Sequence, residues 1–286
     1  MRYHVLLIAL LAGSTAHNRA LAAISYSTEG AVYQQSFNTL SSTNNTSSSW
    51  ANDTTIPGWN LYRVTSSSDP APVAVTTYFT SNGATLNIGS FLSFGIASNS
   101  DRALGGFVND SGVFYGTTPN AGSVAGWIAS NITNNTGHTL TSFTLLFDGE
   151  QWRNGGNTNA QSMVFQYGFG SSFAGVGTWF TPGGNFDWTS PVVGTSPGGL
   201  QGNTTGQAPD RGGTIADINW SSNSTLWLRW IDTNDAGNDH GLAIDNIRFS
   251  AVVAAVPEAS TMLFGALLST ALLTARANRS RKHTAP

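Results

Sequence analysis

The sequence predicts an all-β protein built as a two-sheet antiparallel jelly-roll sandwich. Helical periodicity is almost absent, whereas short runs of β-branched and aromatic residues alternate with turns rich in Gly, Asn and Ser. Clear turn sequences are Ser81-Asn82-Gly83 and the segments 153–156 and 182–185. An immunoglobulin-like sandwich is the second choice, because that fold typically needs only about 100 residues.

The strand predictions follow the β-branched and aromatic runs. Segments 141–147 and 225–230 are apolar enough to pack on a core. No Pro-rich or charged linker and no fixed-period repeat divides the body, so the sequence predicts one domain over residues 24–251. The predicted strands are 31–37, 73–80, 85–88, 91–96, 124–132, 141–147, 161–167, 178–180, 214–218, 225–230 and 242–249.

Residues 1–23 are typical of a cleaved signal peptide. Arg2 gives a positive start, and the apolar run at 5–12 (VLLIALLA) is too short to cross a membrane. Ala20-Leu21-Ala22 then offers small residues at the cleavage positions. We expect cleavage after Ala22 or Ala23 and export through the inner membrane.

The body of the chain is acidic. Residues 24–251 hold six Arg, no Lys and 14 Asp or Glu, which gives a net charge of −8. Nucleic-acid binding relies on Lys and Arg to neutralise phosphates, so we expect no nucleic-acid partner. The chain has no Cys, which excludes disulfides, a thiol nucleophile and a thiolate metal site.

The C-terminal segment, residues 252–286, has three parts. A short motif, Val256-Pro257-Glu258-Ala259-Ser260, precedes an uncharged apolar run at 261–275 and a basic end. As a helix that run would span about 22 Å, and flanking basic side chains could snorkel to bridge a ~30 Å bilayer core. The basic end predicts a transmembrane helix with a cytoplasmic C-terminus. A helix packed on the domain is the alternative, but the run is apolar nearly all round.

This order of motif, apolar helix and basic end resembles the PEP-CTERM sorting signal of Gram-negative bacteria. The motif here has Ala259 where that family usually has a second Pro. The resemblance implies an exosortase partner, cleavage near the motif, and delivery to the cell envelope or extracellular matrix. It also implies a setting in which exopolysaccharide is made.

A second cluster, residues 230–246, is dense in carboxylate and amide oxygens, which are the ligands that Ca²⁺ prefers. It does not match an EF-hand, because Ala236 and Ala243 stand where that loop needs ligands. The alternative is an Asx-turn loop whose side chains cap backbone N–H groups, with His240 as a turn residue. The predicted calcium ligands are Asp232, Asn234, Asp235, Asp239 and Asp245.

Three segments, 100–105, 149–156 and 228–246, resemble a lectin-like jelly-roll module of bacterial secreted proteins. The segment 244–246 is also similar to the last strand of carbohydrate-binding jelly rolls, in which an Asp binds structural Ca²⁺. Those modules often supply a second acidic ligand from the first strand, where Glu29 is the nearest acidic residue here. The resemblance implies the fold and leaves the ligand open.

The nine Trp could supply a sugar-stacking platform. We single out Trp152 and Trp188 as glycan-binding candidates near turns, and expect Trp127, Trp227 and Trp230 in the core. Other Trp residues near turns that could be exposed are Trp50, Trp59 and Trp179.

Asp148 and Glu150 would face the same side of a strand about 7 Å apart, within the range that glycosidases use. Gly149 is expected to break that strand, and Glu150 could simply pair with Arg153. The sequence therefore favours a non-catalytic glycan-binding or adhesive protein without a catalytic residue. The alternatives are a secreted polysaccharide hydrolase and a structural matrix protein without a ligand.

Overall fold

The structure, a computed structural model, describes residues 23–66, 69–84, 89–108 and 121–253. These residues form a two-sheet β-sandwich of the jelly-roll type, which confirms the predicted fold class. Most strand pairs are antiparallel; β1 with β9 and β6 with β7 are parallel. The strands are β1 (Ile24–Tyr26), β2 (Tyr33–Gln35), β3 (Ser47–Ser49), β4 (Trp59–Ser66), β5 (Asp69–Ala74), β6 (Thr77–Ser81), β7 (Ser90–Phe94), β8 (Ala103–Phe107), β9 (Val124–Asn134), β10 (Ser142–Asn154), β11 (Ser162–Phe169), β12 (Trp188–Thr189), β13 (Gly198–Gly199), β14 (Gln207–Ile215), β15 (Thr225–Thr233) and β16 (Gly241–Val252).

In the described residues the strands form two sheets. Sheet A has the order β12-β11-β15-β9-β4-β5, with β1 beside β9. Sheet B has the order β13-β10-β16-β8-β7-β6-β3, with β14 beside β10 and β2 beside β16. The inner faces of both sheets supply one large apolar core around Trp59, Phe147 and Trp230.

Each sheet also carries a smaller apolar cluster on its outer face. The outer cluster of sheet A includes Trp127, Phe173 and Trp227. The outer cluster of sheet B includes Phe94, Phe107 and Trp152. Both outer faces are therefore partly covered, which a plain alternation of polar and apolar residues does not predict.

Most predicted strands are confirmed, with shifted ends. The prediction at 73–80 combines parts of β5 and β6, and the one at 214–218 shares only its first two residues with β14. The prediction at 178–180 is only a bridge between Phe180 and Tyr167. The strands that were not predicted are β1, β3, β4, β8, β12 and β13. In β4 and β8, Arg63 and the glycines at 105–106 interrupt the apolar pattern. The prediction at 85–88 lies outside the described residues.

Both predicted targeting segments also lie outside the described residues. Of the predicted signal peptide, only its last residue, Ala23, is described. The C-terminal tail is described only to Val253, so its motif lies outside the described residues: Val256, Pro257, Glu258, Ala259 and Ser260. Within the described part of the chain, no helix is long and apolar enough to cross a membrane. Both signals remain predictions.

The expected strand break at Gly149 is wrong, because β10 runs without interruption from Ser142 to Asn154. Gly149 faces the core side of sheet B, where the indole of Trp188 packs directly against its backbone. A Cβ atom at this position would lie 2.3 Å from the Trp188 ring. The glycine is thus a packing requirement within the strand.

The variant Gly149→Ala should destabilise the fold, because Trp188 has no room to move inside a close-packed core. We expect a loss of about 1–3 kcal/mol in the free energy of unfolding, measured by urea titration. Gly177→Ala is the matched control, since its added Cβ meets nothing within 4 Å. Equal stability of the two variants would contradict the packing argument.

Candidate functional site

The candidate site lies on the outer face of sheet B, where β10 and β16 run side by side. Phe143, Leu145 and Phe147 of β10 point into the core. Since successive residues of a strand face opposite sides, Asp148 and Glu150 point outward. The segments 100–105, 149–156 and 228–246, which carry the lectin-like resemblance, all contribute strands or loops to this sheet or its rim.

Two bulges shape this face. Opposite Phe147, β16 has two residues, Asn246 and Ile247, because the pairing passes from Leu146–Arg248 to Asp148–Asp245. β14 has a similar irregularity at Asp210. Asn246 and Asp210 have positive φ angles of 52° and 50°. Bulges and left-handed residues redirect side chains and cluster at functional sites.

Together these bulges frame a polar cleft of about 720 Å³ that crosses β14, β10, β16 and β2. Asp148 lies in its wall, where Oδ1 accepts a hydrogen bond from the Asp210 N–H (2.9 Å) and Oδ2 accepts one from Asn246 Nδ2 (3.0 Å). Arg248 forms an exposed ion pair with Asp210 at 3.1 Å. The lining residues are Gln34, Gln35, Ser36, Asp148, Pro209, Asp210, Asn246, Ile247 and Arg248.

The chemistry of this cleft suits a ligand with many hydroxyl groups. Gln34 and Asn246 offer amide donors and acceptors, Asp210 offers a carboxylate, and Arg248 a planar set of donors. The volume lies within the usual range of small-molecule sites, about 300–1,000 Å³. Among the described residues no aromatic side chain lines the cleft, so binding there would depend on hydrogen bonds more than on stacking.

Next to Asp148, two carboxyl groups are buried beneath the surface. Glu150 is 1% exposed and its Oε2 accepts a hydrogen bond from Trp152 Nε1 at 2.8 Å. Asp245 is 2% exposed, and its Oδ1 has no hydrogen-bond partner among the described residues. Burial, followed by the charge of Glu150, raises the pKa of Asp245 to about 9. Burial likewise raises the pKa of Glu150 to about 7.

A loop at 199–206 covers Trp152 and, with it, the carboxyl group of Glu150. The Leu200 N–H donates to the Trp152 carbonyl, and the Gln151 N–H donates to the Gly206 carbonyl, both at 2.8 Å. Gly202 lies against the Trp152 indole, where a Cβ would come within 2.2 Å of Nε1. Asn203 Nδ2 donates to Asp101, so the loop also reaches the segment 100–105.

The two carboxylates of the predicted pair, Asp148 and Glu150, therefore lie in different environments. Asp148 lines the cleft, whereas Glu150 lies under the 199–206 loop and is absent from the lining. The alternative ion pair of Glu150 with Arg153 is wrong: Arg153 Nη1 donates to the carbonyls of Gly83 and Ala84 at 2.9 and 3.0 Å.

The predicted calcium ligands do not form one group. Asp232 ends β15 in sheet A, whereas Asp245 lies in sheet B, four residues and about 13 Å along β16 from Gly241. Asp239 Oδ1 accepts a hydrogen bond from the Asp235 N–H at 2.8 Å, so this carboxylate caps a backbone N–H within the loop. Asn234 is buried in the same loop, and its N–H donates to the Ser123 carbonyl.

Over residues 23–66, 69–84, 89–108 and 121–253, no three His, Asp or Glu side chains converge in a geometry that could hold a metal ion. The acidic neighbours of Asp245 are Glu150, Asp101 and Asp148, and Glu29 lies in the turn after β1. Calcium binding stays a prediction.

His240 is a buried joint between this loop and β10. Its Nδ1 accepts a hydrogen bond from the Gly155 N–H at 3.0 Å, and burial lowers its pKa. A neutral ring that accepts at Nδ1 carries its proton on Nε2. This contact fixes the end of β10 against the loop that precedes β16.

The predicted glycan-binding indoles are buried. Trp152 packs in the outer cluster of sheet B and Trp188 in the main core, and each is 1% exposed. Neither offers a ring face to a ligand. The structure buries every Trp except Trp179, which is half-buried on the outer face of sheet A. The sequence did not predict the polar cleft, because the cleft forms at strand bulges and its described lining has no aromatic residue that would mark it in the sequence.

No protein-family model and no curated protein matches this sequence. Among solved structures, the chain is similar to the CBM22-1 xylan-binding domain from Paenibacillus barcinonensis Xyn10C. The sequences are 10% identical, the match covers 80% of this chain and all of that one, and the TM-score is 0.37. This likeness is too distant to assign a ligand.

The buried carboxyl pair predicts a stability that falls as the pH rises. The folded state keeps protons on Asp245 and Glu150 that the unfolded chain releases near pH 4, so stability is lost progressively up to about pH 9. Asp245→Asn should flatten this decline between pH 5 and 9, measured as the free energy of unfolding in urea. Asp217→Asn, an exposed carboxylate, is the control. An unchanged slope in Asp245→Asn would contradict this assignment.

The calcium prediction requires a ligand-dependent shift in the melting temperature. An ion at 100 times its Kd stabilises the folded state by about 2.7 kcal/mol. Millimolar Ca²⁺ should therefore raise the Tm by several degrees relative to EDTA, and Asp239→Asn should remove the rise. Calorimetric scans that coincide with and without Ca²⁺ would end the hypothesis.

Proposed function

We propose that the protein is an exported, non-catalytic polysaccharide-binding module of the cell envelope or extracellular matrix. The observation that carries the proposal is the polar cleft on the outer face of sheet B. Its amide, carboxylate and guanidinium groups converge on a space of about 720 Å³. Such groups form hydrogen bonds with sugar hydroxyls, and a cleft open at the surface admits a chain.

The arrangement of the carboxyl groups supports a non-catalytic role. A glycosidase needs two carboxyl groups that both reach the scissile bond. Here Asp148 lines the cleft and is held by two hydrogen bonds, whereas Glu150 lies beneath the 199–206 loop. The raised pKa of Glu150 would suit a general acid, so the hydrolase stays the alternative that the binding test must separate.

The proposal includes the route to the envelope. The segments 1–23 and 252–286 support export followed by recognition by an exosortase, with a membrane helix present before processing. An acidic body, rich in Asn, Ser, Thr and Gly, suits a protein that remains soluble in a hydrated polysaccharide layer.

The test is binding of residues 24–253, which keep β16 whole, to an array of plant and bacterial oligosaccharides, followed by titration of the best ligand. We expect Gln34→Ala and Arg248→Ala each to weaken binding about threefold to tenfold, because each removes hydrogen bonds to the ligand. Gln201→Ala changes an exposed glutamine outside the cleft and should leave affinity unchanged.

Three results would contradict the proposal. Binding that survives both cleft variants would place the ligand elsewhere. Release of reducing sugar that is lost in Glu150→Gln would show a hydrolase. Absence of binding across the array would favour the third possibility, a structural matrix protein without a ligand.

A further inference from the structure

The outer face of sheet A carries a second pocket, under the loop at 170–180. Phe173 and Val176 of this loop are buried against Trp127 and Trp227. The loop is held closely to the sheet, since a Cβ on Gly168 would lie 2.5 Å from Val176. Trp227 Nε1 also donates to the Gly170 carbonyl at 3.0 Å. The loop is thus part of the packed structure.

Between this loop and the sheet lies a pocket of about 230 Å³. We call it the Arg229 pocket: Arg229 of β15, Trp127 of β9 and Pro72 of β5 form one side. Phe173, Ala174, Val176 and Trp179 of the loop complete it. The pocket is smaller than sites for drug-sized ligands, which hold about 300–1,000 Å³, so it suits a single sugar ring.

Arg229 is surrounded by aromatic rings. Its guanidinium carbon lies 3.7 Å from the ring centroid of Trp179, 5.6 Å from that of Trp127 and 5.7 Å from that of Phe173. Its Nε donates to Gln166 Oε1 at 2.8 Å, and Nη2 donates to the same oxygen. These contacts fix the plane of the guanidinium and occupy one of its two edges.

The charge of Arg229 lacks a counterion. No carboxylate among the described side chains forms an ion pair with it. Burial is the cause that lowers its pKa to about 10. Trp127 Nε1, from a residue of the same pocket, is buried without a hydrogen-bond partner in the described part of the chain. The pocket therefore holds a partly desolvated cation and an unused donor, an arrangement that costs free energy unless an acceptor arrives.

We propose that the Arg229 pocket binds the carboxylate of a uronic acid, so that the polysaccharide this protein takes is an acidic one. The inference rests on the proposed function, because it assigns a sugar class to a second face of the same module. A carboxylate matches the remaining Nη1–Nη2 edge of Arg229, and the sugar ring packs beside Trp179, the half-buried indole of the pocket. The net charge of −8 on residues 24–251 repels an anionic sugar only weakly, because physiological salt screens charges that are more than about 8 Å apart.

The test compares methyl glycosides of galacturonic and glucuronic acid with their methyl esters, which keep the ring and remove the charge. Binding is followed in the ¹H–¹⁵N spectrum of residues 24–253 through the indole signals of Trp127 and Trp179. We expect both signals to shift with the acids, and the esters to bind about tenfold more weakly, as loss of a charge-assisted hydrogen bond implies.

Two variants test the pocket itself. Arg229→Gln should erase the preference for acid over ester. Ala174→Glu places a competing carboxylate at an exposed position of the pocket lining, where the fold has room for it, and should block the acids. Ala236→Glu adds the same charge on an exposed loop outside the pocket and should bind the acids as the parent does.

The outcomes separate this inference from the proposed function. Three results would each overturn the uronate site. They are equal binding of acid and ester, absence of any shift at Trp127 and Trp179 with either acid, and full binding of the acids in Ala174→Glu. In each case the polar cleft would remain the proposed polysaccharide site if Gln34→Ala and Arg248→Ala still weaken binding of the array ligand. Loss of array binding in Arg229→Gln alone would instead move the main site to sheet A.

Discussion

The pairing of β10 with β16 is the constraint on which the rest of the structure depends. Both strands lie within sheet B, and their pairing extends from Ser142–Val252 to Arg153–Gly241. The extra residue of β16 opposite Phe147 keeps core residues inward on both sides of the bulge. It also turns Asn246 and Arg248 toward the cleft and leaves Asp245 buried beside Glu150. One local irregularity thus sets the cleft wall and the buried carboxyl pair together.

Packing on the outer faces decides which polar groups reach solvent. On sheet B the 199–206 loop covers Glu150 and Trp152 and leaves Asp148 in the cleft. On sheet A the 170–180 loop covers Trp127 and leaves Arg229 and Trp179 half-buried. The sandwich therefore presents a polar surface on one sheet and a cationic, aromatic one on the other.

Much of the fold could be predicted, because β-branched and aromatic runs bounded by turns are typical of β-strands. β10 and β15 are examples in which local composition and tertiary packing agree. Gly149 shows the limit: its role depends on Trp188, which is distant in sequence, so composition alone indicated a strand break. β8 was missed for the same reason, since Gly105 fits the close approach of β16, where it faces Ala243.

The site was harder to predict than the fold. The sequence singled out Asp148, Glu150 and Asp245, but not which of them stays accessible, because a covering loop decides that. It also favoured Trp152 and Trp188, whose positions near turns do not prevent burial. The five predicted calcium ligands are close in sequence, but β15 and β16 belong to different sheets, so Asp232 and Asp245 separate in space. The sequence did not indicate Arg229 or Gln34 as binding residues, because the role of a single cation or amide depends on which side chains surround it in the fold.

Hydrogen–deuterium exchange with and without the tightest array oligosaccharide locates the sugar-binding surface. If the polar cleft binds the sugar, we expect slowed exchange in three separate segments that the cleft brings together, around residues 34–36, 207–211 and 246–248. Protection confined to other segments, or none in a complex shown to be saturated, would contradict the assignment of the polar cleft as the polysaccharide-binding site.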